Sequence, residues 1–122
     1  MAAPAVAWFE VTGADGPKLQ RFYAGLFDWH IQDADDGSGY GLIQAGPGGI
    51  GGGIGTAQAG SPGHVTFYVE VDDPGAYLRK AEQLGGRTIV PPTDIPQYGL
   101  TFAFFADPEG HVVGLARGAV QP

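Results

Sequence analysis

The chain lacks cysteine, long apolar runs and all but a few basic residues. None of its 122 residues is cysteine, so neither a disulfide framework nor thiolate chemistry is available. No apolar run approaches the roughly 18 residues that a transmembrane helix requires. The N-terminal segment also lacks the basic region and the long apolar region of a signal peptide. These features predict a cytoplasmic protein that has no membrane partner.

Positive charge is scarce along the whole chain. Six Lys and Arg residues stand against 13 Asp and Glu residues, which gives a formal net charge of −7. Nucleic-acid binding requires clustered Lys and Arg, and scattered basic residues argue against such a partner. An acidic surface is compatible with a small cationic ligand. The length favours one domain, and a hydrophobic fraction of 43% is sufficient for a core.

Glycine is abundant, with 22 residues that are concentrated in the middle of the chain. The glycine-rich stretch at 48–55 has no Lys-Ser or Lys-Thr pair after it and no predicted helix, which a phosphate-binding loop needs. It also lacks the parallel βαβ context of a dinucleotide site. We interpret it as a strand that forms a pocket wall or crosses close to a partner subunit.

An internal repeat organises the sequence. Phe-Glu-Val at 9–11 corresponds to Val-Glu-Val at 69–71, and Tyr-Gly-Leu at 40–42 recurs as the same three residues at 98–100. The two matches occur in the same order and at nearly equal spacing. The repeat therefore predicts two structurally equivalent halves.

The first half is predicted to contain a strand, a helix and three further strands. Asp15 is a plausible helix cap, and Pro17 lies in the first turn, where its missing N–H has no cost. The helix carries one apolar stripe at helical spacing, which consists of Leu19, Phe22, Tyr23, Leu26 and Phe27. The predicted strands are 7–11, one beginning at 28–31, 40–44 and 50–54.

The second half repeats this order. Asp73 is predicted to cap a helix with Pro74 in its first position, and Gly85 and Gly86 end it. The predicted inner stripe of this helix consists of Tyr77, Ala81 and Leu84. The predicted strands are 64–71, 87–90, 100–106 and 111–116, with a hairpin turn at 107–110 between the last two.

Three motifs resemble those of the vicinal oxygen chelate superfamily, which includes glyoxalases, bleomycin resistance proteins and extradiol dioxygenases. They are the Asp-Pro-Glu-Gly hairpin within 104–111, the helix end at 21–29 and the start of the second unit at 69–73. The resemblance implies an α+β fold with two βαβββ modules that form a cup-shaped mixed sheet with helices outside. It also implies a single domain over 1–122, with modules at about 5–56 and 62–118, and a homodimer.

The resemblance also identifies where metal-dependent members place their ligands. Those members hold a divalent ion with four His or Glu side chains, one from the first and one from the last strand of each unit. The corresponding positions here are Val6, Thr66, Gly114 and a residue within 51–53. Valine and glycine cannot coordinate a metal through their side chains, and a threonine hydroxyl is a poor ligand for transition metals. We therefore predict no metal site of this kind and no cofactor.

Other histidines and carboxylates leave an alternative open. His64, Glu10 and Glu70 could form a different metal cluster, although His64 also fits a strand start at the rim and the two glutamates fit strand ends. His111 is expected at the surface of a turn, and His30 at the edge of a strand. Neither has a partner at metal-ligand spacing.

The predicted function is binding of an apolar or aromatic small molecule in the cup, without a metal. Trp8 and Tyr68 are equivalent in the repeat and face the cup by strand alternation; for Phe102 and Phe104 an ordinary core position is equally open. The predicted ligand-binding residues are Trp8, Glu10, Thr66, Tyr68, Glu70, Phe102 and Phe104. The alternatives are a metal-dependent lyase, isomerase or dioxygenase with shifted ligands, a metal-free enzyme with Glu10 or Glu70 as base, and an accessory dimer.

Overall fold

A computed structural model describes residues 3–118. In this part of the chain, two βαβββ units follow one another, so the predicted α+β class and element order are confirmed. The elements are β1 Val6–Gly13, α1 Gly16–Phe27, β2 Ile31–Asp33, β3 Gly41–Ile43, β4 Gly51–Thr56, β5 His64–Glu70, α2 Pro74–Gln83, β6 Arg87–Ile95, β7 Leu100–Ala106 and β8 Val112–Arg117. A short 3₁₀ helix, Pro96–Tyr98, precedes β7. Neither helix has the length and apolarity needed to span a membrane.

The described residues divide into two compact units, which are treated separately below. The N-terminal unit consists of residues 8–65, and the C-terminal unit consists of residues 3–7 together with 66–118. Strand order in the N-terminal unit is β2-β3-β4-β1, and in the C-terminal unit it is β6-β7-β8-β5. In each unit the first and last strands run parallel and the remaining pairs run antiparallel. The predicted duplication is thus present in the strand pairing.

Helix α1 begins as the sequence predicts, because the Asp15 side chain accepts a hydrogen bond from the Lys18 backbone N–H at 3.1 Å. Its apolar stripe, however, divides into two parts. Leu19 and Tyr23 pack against the core of Val11, Ile43 and Ile54. The other three members are about half exposed: Phe22 58%, Leu26 58% and Phe27 52%. Strands β2 and β3 have only three residues each, so the sheet is too short to cover the whole stripe.

Helix α2 is capped by Asp73, whose side chain accepts a hydrogen bond from the Ala76 backbone N–H at 3.1 Å. Leu78 of this helix is buried in the core, although the predicted stripe does not include it. Tyr77, which the stripe does include, packs against the same core. The predicted inward position of Leu84 is wrong, since that residue is 71% exposed. Leu84 is the C-cap residue, and its backbone N–H still donates to the Lys80 carbonyl at 3.1 Å, so it stands at the exposed end of the helix. The core of this unit consists of Val71, Leu78, Ala103 and Leu115.

Strand β6 is longer than the predicted 87–90, because it continues to Ile95 after two interruptions. The register with β7 shifts between Thr88 and Val90 and again between Val90 and Thr93. Pro91 and Pro92 lie in the second shift. Proline has no N–H to donate, so a strand accommodates it at a bulge or an edge. The predicted strand ends at residue 90, whereas in the structure the pairing register shifts there and the strand continues.

The hairpin turn at 107–110 is confirmed, and Asp107 organises it. Its Oδ1 accepts hydrogen bonds from the backbone N–H groups of Glu109 and His111, each at 2.9 Å. Its Oδ2 lies 2.9 Å from Nδ1 of His111. The hydrogen bond from the His111 backbone is the largest cause that holds the pKa of Asp107 below its ordinary value. His111 is therefore a surface turn residue, as predicted.

Replacement of Asp107 by alanine is expected to lower the urea midpoint of unfolding at neutral pH by a small amount. The folded-state pKa of Asp107 is lowered, so its contribution is present above the unfolded pKa and is lost as pH falls through the folded value. The difference between wild type and variant should therefore shrink at acid pH. Glu109→Ala, in the same turn, is the control, and a difference that grows at acid pH would contradict this role for Asp107.

Candidate functional site

Four side chains of the N-terminal unit form a continuous chain of hydrogen bonds, which we call the Glu10 network. Trp8 Nε1 donates to the hydroxyl of Tyr40 at 3.1 Å, and that hydroxyl donates to Glu10 Oε1 at 2.8 Å. The other carboxylate oxygen, Oε2, lies 2.7 Å from Nε2 of His64. Three different stretches of sequence therefore converge on one carboxylate.

Strand alternation explains why these residues share a face of β1. Phe9 and Val11 pack into the core on the side of α1, so Trp8 and Glu10 project to the opposite side. Thr12 has the same parity, and its hydroxyl accepts a hydrogen bond from the His64 backbone N–H at 3.1 Å. This contact fixes the beginning of β5, and it holds the His64 backbone beside β1.

The carboxylate of Glu10 is nearly enclosed, because its side chain is only 11% exposed. A buried carboxylate is stable only when hydrogen-bond donors satisfy its oxygens. Tyr40 and His64 supply them. Burial, and secondly the negative charge of Glu10, raise the pKa of Tyr40 far above its ordinary value. The phenol therefore keeps its proton and remains a donor to the carboxylate.

The glycines of β4 allow two aromatic rings to lie directly on that strand. A Cβ added to Gly51 would contact the Trp8 ring at 3.1 Å, and one added to Gly53 would overlap the Tyr40 ring. A Cβ at Gly55 would also contact the Tyr40 ring, at 2.9 Å. On this face of β4, aromatic rings therefore fill the volume that the missing side chains leave.

The C-terminal unit repeats this arrangement. Tyr68 is paired in register with Gly114, as Trp8 is with Gly51, and a Cβ on Gly114 would overlap the Tyr68 ring. In each unit, therefore, an aromatic side chain from the first strand covers its partner glycine on the last strand. In the C-terminal unit, the covered glycine is Gly114, a position where the resemblance implies a metal ligand in metal-dependent members.

Two phenylalanines of β7 extend the aromatic surface of the C-terminal unit. The Tyr68 and Phe104 ring centroids are 5.3 Å apart, and those of Phe102 and Phe104 are 5.9 Å apart. Ala103 and Phe105 belong to the core beside α2, so alternation places Phe102 and Phe104 on the opposite face. The structure thus determines which face of the sheet these two side chains take. We call Tyr68, Phe102 and Phe104 the aromatic cluster.

Thr66 and Glu70, which were also predicted to bind ligand, both make backbone contacts. The buried Thr66 hydroxyl donates to the Val112 carbonyl at 2.6 Å. Glu70 Oε2 accepts a hydrogen bond from the Gly118 backbone N–H at 3.2 Å. Both side chains thus help to hold β8 and the residue that follows it.

The residues present do not fit the metal of the metal-dependent members. Val6 carries no donor atom, the Thr66 hydroxyl is already bonded to the Val112 carbonyl, and an aromatic ring covers Gly114. Within residues 3–118, no group of three or more His, Asp or Glu side chains could hold a metal ion. Two members of the alternative cluster, Glu10 and His64, lie in the N-terminal unit and are in contact.

The family model described as Glyoxalase/Bleomycin resistance protein/Dioxygenase superfamily matches residues 5–115. The chain belongs to this superfamily. Among curated proteins of known name, the chain is 36% identical over 85 residues to "Putative glyoxylase CFP32" of Mycobacterium tuberculosis, covering 70% of this chain and 32% of that protein. It is 30% identical over 136 aligned positions to the anthracycline biosynthesis protein DnrV of Streptomyces peucetius, covering 98% of this chain and 49% of that one. The chain thus spans half or less of the length of these relatives.

Two solved structures share the fold of this chain at low sequence identity. A hypothetical protein from Bacillus halodurans C-125 superposes with a TM-score of 0.68 at 13% identity, over 99% of both chains. Methylmalonyl-CoA epimerase from Mycobacterium tuberculosis gives a TM-score of 0.64 at 16% identity, over 98% of this chain and 93% of that chain. These likenesses establish the superfamily fold and leave the chemistry to the residues of the site.

Proposed function

We propose that this superfamily member is a small-molecule-binding protein that works without a metal and binds a flat apolar or aromatic compound. The observation that carries the proposal is the aromatic ring over the paired glycine, Tyr68 over Gly114 and Trp8 over Gly51. Gly114 stands where a metal-dependent member would hold a ligand. The Tyr68 phenol covers Gly114, and the Trp8 indole covers Gly51. Rings of this kind bind ligands by stacking and apolar contact.

The aromatic cluster is the surface that we propose for contact with the ligand. Tyr68, Phe102 and Phe104 are all partly exposed and lie on the sheet face opposite α2. Apolar pockets with few polar groups are the usual form of small-molecule sites. The net charge of −7 favours ligands that carry a positive charge. An anthracycline, the compound class in the name of the Streptomyces peucetius relative, is therefore a suitable first probe.

Binding of doxorubicin, an anthracycline with intrinsic fluorescence, tests this proposal. Truncation of Phe104 or Tyr68 to alanine removes apolar contact of about 1–2 kcal/mol, which corresponds to a roughly 5- to 30-fold higher Kd. The matched control is Phe67→Ala, since Phe67 is an exposed aromatic of β5 that lies, by strand alternation, on the face opposite Tyr68. Equal affinity in wild type and in both cluster variants would contradict the proposal.

We also propose a homodimer. The chain covers 49% of its Streptomyces peucetius relative, so a second copy would supply the length that the relative carries in one chain. The half-exposed apolar side chains of α1, Phe22, Leu26 and Phe27, are the kind of surface that association buries. Light scattering after size-exclusion chromatography should give twice the chain mass of 12.6 kDa, and a single-chain mass at all concentrations would contradict it.

A further inference from the structure

We propose that a cavity in the C-terminal unit binds a carboxylic acid with an apolar body, such as a fatty acid of medium length. The cavity lies between helix α2 and the sheet and has a volume of about 350 Å³. Its walls include Val69 of β5 and Phe105 of β7, which alternate along their strands with Tyr68 and Phe104. The cavity is therefore on the sheet face opposite the aromatic cluster, and the inference does not rest on the proposed function.

One face of helix α2 forms a wall of this cavity. Tyr77, Lys80, Ala81 and Leu84 all line it, and residues three and four positions apart lie on the same side of a helix. The side chain of Ala81 is short, so the middle of this wall stands back from the sheet. The enclosed volume falls within the range of small-molecule sites, roughly 300–1,000 Å³.

The N-terminal unit shows what occupies the corresponding space beside its own helix. When the two helices are aligned on their capping residues, Asp15 and Asp73, Tyr23 takes the position of Ala81. The Tyr23 ring stacks on Trp29, with centroids 6.1 Å apart, and packs against the core of its unit. An aromatic ring in one unit thus corresponds to a single methyl group in the other.

The strands differ in the same direction. Phe9 corresponds to Val69 in the sequence repeat, and the Phe9 ring centroid lies 5.6 Å from that of Trp29. Trp29 corresponds to Arg87, which is exposed. Three rings of the N-terminal unit are therefore matched by smaller or outward side chains in the C-terminal unit, and this difference accounts for the cavity.

Two hydrogen-bond donors accompany the apolar walls. Lys80 carries an ammonium group and Tyr77 a hydroxyl, and within residues 3–118 neither group has a hydrogen-bond or ion-pair partner. Asp107 also lines the cavity, but both of its carboxylate oxygens are engaged by its own turn, including His111. An ammonium group and a hydroxyl beside an apolar cavity match a carboxylate at the end of an apolar body.

The apolar body and the carboxylate of the ligand have different roles. Lys80 is exposed, so its methylene groups cover the wall while its ammonium group stays in water. An ion pair at an exposed position changes affinity only a few-fold. Burial of the apolar body therefore supplies most of the affinity, and the carboxylate supplies the selectivity between ligands.

Calorimetric titration of the full chain with decanoate and decanol, each below the concentration at which it aggregates, tests the proposal. Both compounds have the same apolar chain, and only decanoate is charged. Lys80→Gln should raise the Kd for decanoate by about 2- to 5-fold and leave that for decanol unchanged. Tyr77→Phe should raise the Kd for decanoate by about tenfold, because it removes a hydrogen bond to a charged group.

Arg79→Gln is the matched control for Lys80→Gln. It removes one positive charge from the same helix, at a position outside the cavity lining, so both Kd values should stay at their wild-type levels. A loss in Lys80→Gln that is equal for decanoate and decanol, or equal to the loss in Arg79→Gln, would overturn the assignment of an acid as the ligand.

Filling the cavity tests the site itself. Ala81→Tyr should abolish binding of both compounds, because the new ring would occupy the space as Tyr23 does in the N-terminal unit. Circular dichroism establishes that the variant is folded. If Ala81→Tyr does not fold, Ala81→Leu, which fills part of the same space with a good helix former, takes its place. Undiminished binding of decanoate in a folded filling variant would overturn the site.

Methyl NMR of the wild-type protein locates the ligand without any substitution. Decanoate should shift the methyl signals of Val69 and Leu84, which line the cavity, and leave those of Val11 and Ile54, in the core of the N-terminal unit, unchanged. Absence of decanoate binding, or shifts confined to residues outside the cavity, would overturn the proposal.

Discussion

Substitution of Gly53 by alanine is expected to lower the free energy of unfolding by about 3 kcal/mol, the upper end of typical overpacking costs. The added methyl group would enter the ring of Tyr40. That ring cannot move aside easily, because its hydroxyl is bonded to both Glu10 and Trp8. Urea unfolding monitored by circular dichroism gives the free energy directly.

Gly25→Ala is the matched control, since Gly25 lies inside α1 and an added Cβ would meet nothing within 4 Å. Alanine in a helix interior is more favourable than glycine by roughly 0.5–1 kcal/mol. The same chemical change should therefore have opposite signs at the two positions. A neutral or stabilising effect of Gly53→Ala would contradict the close contact of Tyr40 with β4.

Removal of the Tyr40 hydroxyl is expected to have the second-largest effect. Tyr40→Phe keeps the ring over the glycines but removes a hydrogen bond to a charged group, which is worth about 1.5–3 kcal/mol. It also leaves the Trp8 N–H without the oxygen that accepts from it. Tyr23→Phe is the control, because Tyr23 packs through its ring against Trp29 and should tolerate the change.

The difference in unfolding free energy between wild type and Tyr40→Phe should decrease at high pH. Burial raises the folded-state pKa of Tyr40 above the ordinary value of 10.0, so its stabilisation is complete below that value. As pH rises further, the unfolded chain loses the phenol proton first, and stability falls toward the folded pKa. The free-energy gap between wild type and Tyr40→Phe should therefore narrow above about pH 10. A gap that widens there would contradict the protonated, buried phenol.

Local signals were sufficient to predict the elements of this fold. Asp15 and Asp73 cap the two helices as expected, and strand β7 has its predicted bounds. The errors occur where tertiary structure overrides the local pattern. Leu26 has helical spacing with Leu19 but extends beyond the short sheet, and β6 continues past the predicted 87–90 through two shifts of register.

The site was harder to predict, because its members meet only through strand pairing. Glu10 and His64 were recognised as candidates for one cluster, yet their contact depends on β5 starting beside Thr12. Tyr40 is recognisable in the sequence as a marker of the repeat, but no local pattern assigns it to the site. The sequence does contain a signal for the aromatic contact with β4. Glycines at every second position of that strand leave one of its faces without side chains, so that a ring can lie on it.

We propose that this superfamily member binds its ligand without a metal, and metal content measured together with ligand affinity decides whether it does. Metal content of the purified protein is determined by mass spectrometry, and the Kd for doxorubicin is measured before and after chelation and again with added Mn²⁺, Ni²⁺ or Zn²⁺. We expect no stoichiometric transition metal and an unchanged Kd in all three conditions. A tightly bound stoichiometric metal, with binding lost on chelation and restored by the ion, would contradict it.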